Sequence, residues 1–247
     1  MEKKTAAIIL AAGRGTRIGG DRPKQYQDIG GYPLIWYSLK AFSDSFVDEI
    51  VLVCSEEDRE YVSAEIVDKY GFSKVHSVVA GGLERYHSVY NALKALRCVA
   101  EGDNREPCDI VFIHDGARPF VTGEVITRAY ESVLTDRACV VAVPVKDTVK
   151  VSDTGGFAVE TIPRDRVWLM QTPQTFDFYE IYDAYSKLME SENDLKQKGV
   201  QITDDAMVLE LFSDRKVRLV MGDYRNIKVT TPDDIVLAKC LLPEYAG

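Results

Sequence analysis

Residues Ala6–Gln25 read Ala-Ala-Ile-Ile-Leu-Ala-Ala-Gly-Arg-Gly-Thr-Arg-Ile-Gly-Gly-Asp-Arg-Pro-Lys-Gln, a short apolar run feeding straight into a glycine-rich, cationic loop. A strand followed by a glycine turn is how α/β proteins present backbone N–H groups to a phosphate. Small residues at Ala11, Ala12, Gly13 and Gly15 let a ligand approach the backbone closely. Four cations, Arg14, Arg17, Arg22 and Lys24, stand against one acid, Asp21, inside a chain of net charge −9. A compact basic loop on an acidic protein suits a small polyanion such as a nucleoside triphosphate. A nucleic-acid duplex would need a broad basic face instead.

Three motif readings compete for this loop. A Walker A loop needs Gly-x-x-x-x-Gly-Lys-Ser/Thr, which does not occur. A dinucleotide fingerprint fits at Gly13 and Gly15, but Ile18 stands where the third glycine belongs. It also lacks an acid about 20 residues on, at a strand end, to hold a ribose. The nucleotidyltransferase signature Gly-x-Gly-x-Arg…Pro-Lys fits as Gly13-x-Gly15-x-Arg17 followed by Pro23-Lys24-Gln25. Against all three stands a plain glycine turn with solvated charges.

Working outward, apolar runs alternate with helical patterns. Strands are expected at Glu49–Cys54, Lys74–Val79, Ile110–His114, Ala138–Val143 and Val217–Met221. Helices are expected at Ser55–Tyr70, Glu84–Arg97, Gly123–Leu134, Asp177–Glu192, from a Thr203 cap through Leu211, and from a Thr231 cap with Pro232 in its first turn. Such alternation implies an α/β, Rossmann-like fold with a mostly parallel sheet covered on both faces. Its ligands should gather beyond the carboxyl ends of the strands. Residues 147–162 break the pattern: two β-prone segments flank Asp153-Thr-Gly-Gly156, which reads as a β-hairpin with no helix to cover it. Two readings stay open, an arm engaging a second subunit and an insertion flap on a monomer. We take residues 1–247 as a single domain with this hairpin arm at about 145–164.

With 46% hydrophobic and 28% charged residues the composition is that of an ordinary globular chain. Five cysteines at unpatterned spacing point to a reducing cytoplasm and away from a zinc knuckle. Lys3-Lys4 ahead of Ala6–Ala12 loosely imitates a signal segment, but Arg14 and Arg17 follow at once, so we read a first buried strand with no leader before it. No stretch is long enough to span a bilayer.

The chemistry is expected at strand ends. Asp115, in His114-Asp115-Gly116-Ala117-Arg118-Pro119, closes a strand opposite the phosphate loop and can hold Mg²⁺; the alternative is a turn or capping aspartate. Gly81-Gly82-Leu83-Glu84-Arg85-Tyr86-His87-Ser88 enters a helix. Its backbone and the Ser88 hydroxyl can read a base edge, or Ser88 can simply belong to a polar first turn. Arg164 and Lys228 can each be a surface charge, and Asp204-Asp205 can serve only a helix N-terminus. His87 and His114 read as structural residues. No nucleophile triad stands out, and nucleotidyl transfer needs none: it needs alignment and charge neutralisation.

Together these blocks resemble the 2-C-methyl-D-erythritol 4-phosphate cytidylyltransferases, from Ala6 to about Ala238. The matching strings include Gly81-Gly82-x-x-Arg85-x-x-Ser88, Asp147-Thr-x-Lys150, Gln171-Thr-Pro-Gln174, Thr203-Asp-Asp205 and Asn226-Ile-Lys-Val-Thr230. The resemblance implies transfer of CMP from CTP to methylerythritol phosphate with release of pyrophosphate, in isoprenoid precursor synthesis. It implies that Arg17 and Lys24 stabilise the pentacoordinate phosphorus and that Arg164 and Lys228 position the substrate phosphate. Asp115 would bind Mg²⁺ or Mn²⁺, and Ala11, Ala12, Gly13, Gly15, Gly82, Ser88 and Gly116 would surround CTP. Thr148 and Arg164 would enter from the arm of a homodimer partner. Leu83 departs from the polar residue often found there. A ribitol 5-phosphate cytidylyltransferase and a non-catalytic nucleotide-binding module are the alternatives.

Overall fold

The computed structural model describes residues 3–13, 23–102 and 106–242. Arg17 and Gly15, expected in the site, lie outside the described residues.

The apolar run before the loop forms β1 (Thr5–Leu10). It pairs in parallel with β4 (Glu49–Cys54) on one side and β6 (Ile110–Asp115) on the other. Two strands of two residues each, β2 (Asp28–Ile29) and β3 (Tyr32–Pro33), lie between β1 and β4 in sequence and pair with each other apart from the main sheet. With β5 (Val75–Ala80), β7 (Ala138–Pro144), β10 (Trp168–Asp177) and β11 (Arg218–Met221), the strands β1, β4 and β6 make a seven-stranded sheet in the order β11-β7-β10-β6-β1-β4-β5. Every partnership in it is parallel except those of β10, which is antiparallel to both neighbours.

The continuous apolar character of β1 follows from burial on both faces. Period-two alternation sends its side chains into two cores. Ala7 and Ile9 join Ile35, Leu39 and Phe42 of α1 (Leu34–Ser43) and Ile126 and Ala129 of α4 (Gly123–Asp136). Ala6 and Ile8 face Val89 and Leu93 of α3 (Arg85–Gly102), Ile181 and Tyr185 of α5 (Phe178–Gln197) and Val208 of α6 (Asp205–Phe212). Between β4 and β5 the helical segment α2 (Arg59–Tyr61) runs on in wider π-type turns over Val62–Asp68. The last helix, α7 (Pro232–Leu241), closes a third small core through Ala238, with Ile29, Leu34, Phe120 and Val229.

Several elements differ from expectation. The strand β10 is absent from the sequence reading because Pro173 stands within it, and proline argues against a central strand. The structure accommodates it by a break in register between Met170 and Gln174 on the β7 side. The helix α1, unassigned from sequence, carries no side-chain cap. The helix α5 runs past Glu192 to Gln197, because the polar tract is the solvated face of a helix stitched by Lys196–Glu192 at 2.6 Å. The cap of α6 is Asp204, whose carboxylate accepts from the Met207 N–H at 2.9 Å, and not Thr203, whose hydroxyl turns to the Met207 sulfur. The Thr231 capping box at α7 is present as read.

The expected hairpin is present as β8 (Val149–Ser152) and β9 (Ala158–Ile162), paired antiparallel and separate from the main sheet. Its turn is an Asp153 carboxylate accepting from the N–H groups of Gly155 and Phe157, both at 2.9 Å, with Gly156 at φ 84°. That φ suits glycine, which carries no Cβ penalty there. Phe157 and Val159 on the hairpin are 75% and 62% exposed, so the chain itself leaves an apolar arm uncovered. No helix among the described residues is long and apolar enough to cross a membrane.

Candidate functional site

The carboxyl ends of β1, β5 and β6 open into one cavity of about 680 Å³. Ala11, Ala12 and Gly13 line it after β1, Gly82 through Arg85 and Ser88 after β5, and Asp115 at the end of β6. Lys24, Gln25, Lys228 and Thr230 complete the wall. Its size and its few convergent polar groups are those of a small-molecule site.

The loop after β1 is held by Gln25, a buried amide whose Nε2 donates to the carbonyls of Ala11 at 2.6 Å and Gly13 at 3.1 Å. This clamp fastens the Pro23-Lys-Gln turn to the glycine loop and so places Lys24. A side chain at Gly13 would meet only open space, leaving the backbone bare toward the cavity. The Lys24 ammonium donates to the Val229 carbonyl at 2.8 Å. Lys228, next to Val229 in the chain, donates to Asp115 Oδ2 at 2.7 Å. The loop carrying Lys228 is fixed on both sides. The buried Asn226 amide donates to the Thr172 carbonyl at 2.9 Å, and the Val229 N–H donates to the Ala117 carbonyl at 2.8 Å.

Asp115 sits where the sheet delivers a carboxylate among cations. Burial works to raise its pKa, but the charges of Arg85, Lys228 and Arg118 outweigh burial and hold it far below the usual carboxylate range. Its own N–H donates to Thr172 Oγ1 at 3.1 Å. That hydroxyl in turn meets His114 Nδ1 at 2.9 Å, while His114 Nε2 faces the Arg118 carbonyl at 3.1 Å. A carbonyl only accepts, so the network assigns the proton to Nε2 and leaves Nδ1 to accept from Thr172. Burial pushes the His114 pKa down to about 4, keeping it neutral. It is a structural strut for the Asp115 backbone, as expected.

Ser88 is spent on the loop it belongs to. Its hydroxyl accepts from the Gly82 N–H at 3.0 Å, and it still lines the cavity. A Cβ on Gly82 would collide with His87, so this glycine is a packing requirement as well as an open backbone. Leu83 lines the cavity at 96% exposure, its side chain offering no polar group to a base.

One chain therefore gathers Ala11, Ala12, Gly13, Lys24, Gly82, Ser88, Asp115 and Lys228. Gly116 is not among the lining residues: it is buried against Ile35 and the Leu10 carbonyl, where a side chain would not fit. Thr148 and Arg164 are exposed at the foot of the hairpin and do not line this cavity; Arg164 donates to the Lys146 carbonyl at 3.3 Å. Gln25 and Asp205 stand in motif strings of the sequence, but their contacts, a clamp on the glycine loop and a grip on Arg85, were not legible there. A buried polar clamp has no local signature, and Asp205 looks like a second capping acid.

Among the described residues no three His, Cys, Asp or Glu side chains gather into a metal cage. A magnesium site built on nucleotide phosphates needs only one or two protein carboxylates, and Asp115, whose carboxyl the neighbouring cations hold below the usual range, places a hard oxygen donor in the cavity wall. The donor set fits a divalent cation carried by a triphosphate.

A family model described as 2-C-methyl-D-erythritol 4-phosphate cytidylyltransferase matches residues 5–244. A Clostridium kluyveri protein of that name is 44% identical over 238 residues, covering 96% of each chain. One from Clostridium beijerinckii is 42% identical over 235 residues, covering 95% of this chain and 96% of the relative. Among solved structures, the 4-diphosphocytidyl-2C-methyl-D-erythritol synthase of Anaerococcus prevotii superposes with a TM-score of 0.81 at 35% identity, covering 98% of this chain and 96% of that one.

Proposed function

The chain belongs to the 2-C-methyl-D-erythritol 4-phosphate cytidylyltransferase family, and from that premise we propose how its residues divide the reaction. It transfers CMP from CTP to 2-C-methyl-D-erythritol 4-phosphate, releasing pyrophosphate, in isoprenoid precursor synthesis. A substrate phosphate oxygen attacks the α-phosphorus of CTP. The bond from that phosphorus to the α–β bridging oxygen breaks, and pyrophosphate leaves with the electron pair. The observation that carries the residue assignment is that Lys24, Asp115 and Lys228 share one cavity with the Ala11–Gly13 backbone.

Ala11, Ala12, Gly13 and Gly15 supply close backbone approach for the triphosphate, with Gly82 and Ser88 on the base side. Lys24 and Arg17 neutralise charge that grows on the phosphorus oxygens, where fixed cations act most strongly. Lys228 positions the substrate phosphate. Gly116 acts by packing under the site. Asp115 would hold Mg²⁺ or Mn²⁺, and the ion would supply further charge neutralisation. Thr148 and Arg164 act in the cavity of a partner subunit, and this requires a homodimer whose arms cross. The uncovered Phe157 and Val159 support that reading, since an exposed apolar hairpin calls for a partner. Free thiols at Cys54, Cys98, Cys108, Cys139 and Cys240 suit a reducing cytoplasm.

The test is pyrophosphate release with CTP, UTP, ATP and GTP against methylerythritol phosphate and ribitol 5-phosphate. CTP with methylerythritol phosphate should turn over fastest, and excess chelator should abolish it. Faster turnover of ribitol phosphate would reassign the substrate, and no release with any pair would favour a binding module.

A further inference from the structure

Behind the cavity wall, Asp205 has no solvent exposure and grips the Arg85 guanidinium with both oxygens. Nη1 donates to Oδ1 and Nη2 to Oδ2, each at 2.7 Å. The Tyr185 hydroxyl donates to Oδ1 at 2.5 Å. None of this serves the helix N-terminus. The cap is Asp204, and the N–H groups of Asp205 and Ala206 are taken by Gln174 Oε1 at 3.0 and 2.9 Å. Gln174 lies opposite Ile113 in the sheet, two residues before Asp115. Asp205 is thus anchored to β10, the strand paired beside the one that delivers Asp115, and its carboxylate is committed to Arg85.

The consequence falls on Asp115. With both terminal nitrogens of Arg85 engaged by Asp205, Arg85 reaches Asp115 through Nε, at 3.3 Å to Oδ1. Lys228 takes one contact on Oδ2. A carboxylate offers about four lone-pair sites, so among the described residues each oxygen keeps one. We infer that Asp205 is a positioning residue that holds the Arg85 fork away from Asp115, so that Asp115 keeps oxygen lone pairs free for a hard divalent cation in the cavity. The inference rests on the assignment of that cation to Asp115. A partly buried guanidinium is favoured by an anionic partner, and carboxylates match its fork in bidentate fashion. Without the charge of Asp205, the carboxylate Arg85 already touches is Asp115, and it would turn its fork there.

Mn²⁺ binding tests this without turnover. Water-proton relaxation measures Mn²⁺ affinity of the full chain at saturating non-hydrolysable CTP analogue. Asp115→Asn and Asp205→Asn should each weaken binding by about tenfold or more, the usual effect of disturbing a ligand or its support. Tyr185→Phe, which keeps the ion pair, should stay within about threefold of wild type. The double variant Arg85→Met/Asp205→Asn removes the competitor as well and should recover to within about threefold of wild type, a coupling that a merely structural role would not produce. Should Asp205→Asn fail to fold, Arg85→Met alone serves: binding close to wild type supports competition, and tenfold weakening overturns it. Unchanged binding in folded Asp205→Asn, or a double variant no better than that single one, overturns the inference. Unchanged binding in Asp115→Asn overturns the cation assignment itself, and the inference with it.

Discussion

Lys24 enters the cavity from a three-residue turn, and its ammonium rests 2.8 Å from the Val229 carbonyl beside Lys228. A cation placed there meets the phosphates whose charge grows during transfer. An interaction made mainly in the transition state appears in kcat. Lys24→Ala should therefore lower kcat by about 10²–10³-fold, by analogy with loss of an oxyanion donor, with the KM for CTP little changed. Steady-state kinetics checks it, and a raised KM at unchanged kcat would remove the transition-state role. Lys24, Asp115 and Gly82 were legible in the sequence because each stands in a short string with its own chemistry. The roles of Arg85 and Asp205 were not, because their pairing spans 120 positions and only the fold closes it. Gln25 was visible as part of Pro23-Lys24-Gln25, but its clamp on Ala11 and Gly13 depends on burial that no local pattern reports.

At the scale of elements, the parallel strands announced themselves as continuous apolar runs, and their alternation with helices fixed where a site would lie. β10 did not, because its Gln-Thr-Pro-Gln core is polar. Those polar groups are used inward: Thr172 supports Asp115, and Gln174 holds the head of α6. A strand that serves a site loses the pattern by which strands are recognised. The α6 cap gives a clean contrast. Asp204→Ala should lower stability by about 1 kcal/mol, the usual cost of a lost cap. Thr203→Ala, outside the cap, should change it by less than about 0.5 kcal/mol. Urea unfolding of both variants decides, and equal losses would contradict the observed cap.

At the scale of the whole molecule, the two large cores on either face of the sheet bury Cys54, Cys108 and Cys139, while Cys98 and Cys240 remain exposed. Burial pushes the Cys54 and Cys139 thiols up to about 12, and Cys108 higher. Only a thiolate reacts with an aromatic disulfide, so raised pKa and burial act together. Titration at pH 8 should find two reactive thiols in the native chain, Cys98 and Cys240, with the other three released on unfolding. A buried cysteine reacting as fast as these would contradict the packing described. What a single chain leaves unfinished is the hairpin: Arg164 and Thr148 stand outside the cavity, and the apolar face of the arm is bare. We propose that each site joins Lys24 of one subunit to Arg164 of the other across a two-fold dimer. Homodimers of Lys24→Ala and of Arg164→Ala should both be nearly inactive. In a mixed dimer one site collects both lesions and the other neither. With free exchange and independent sites, mixing should restore about a quarter of wild-type pyrophosphate release. The measurement uses differently tagged chains, so that mixed dimers are demonstrated directly. Recovery near a quarter is the result the account predicts, and demonstrated mixed dimers with no recovered activity would contradict it.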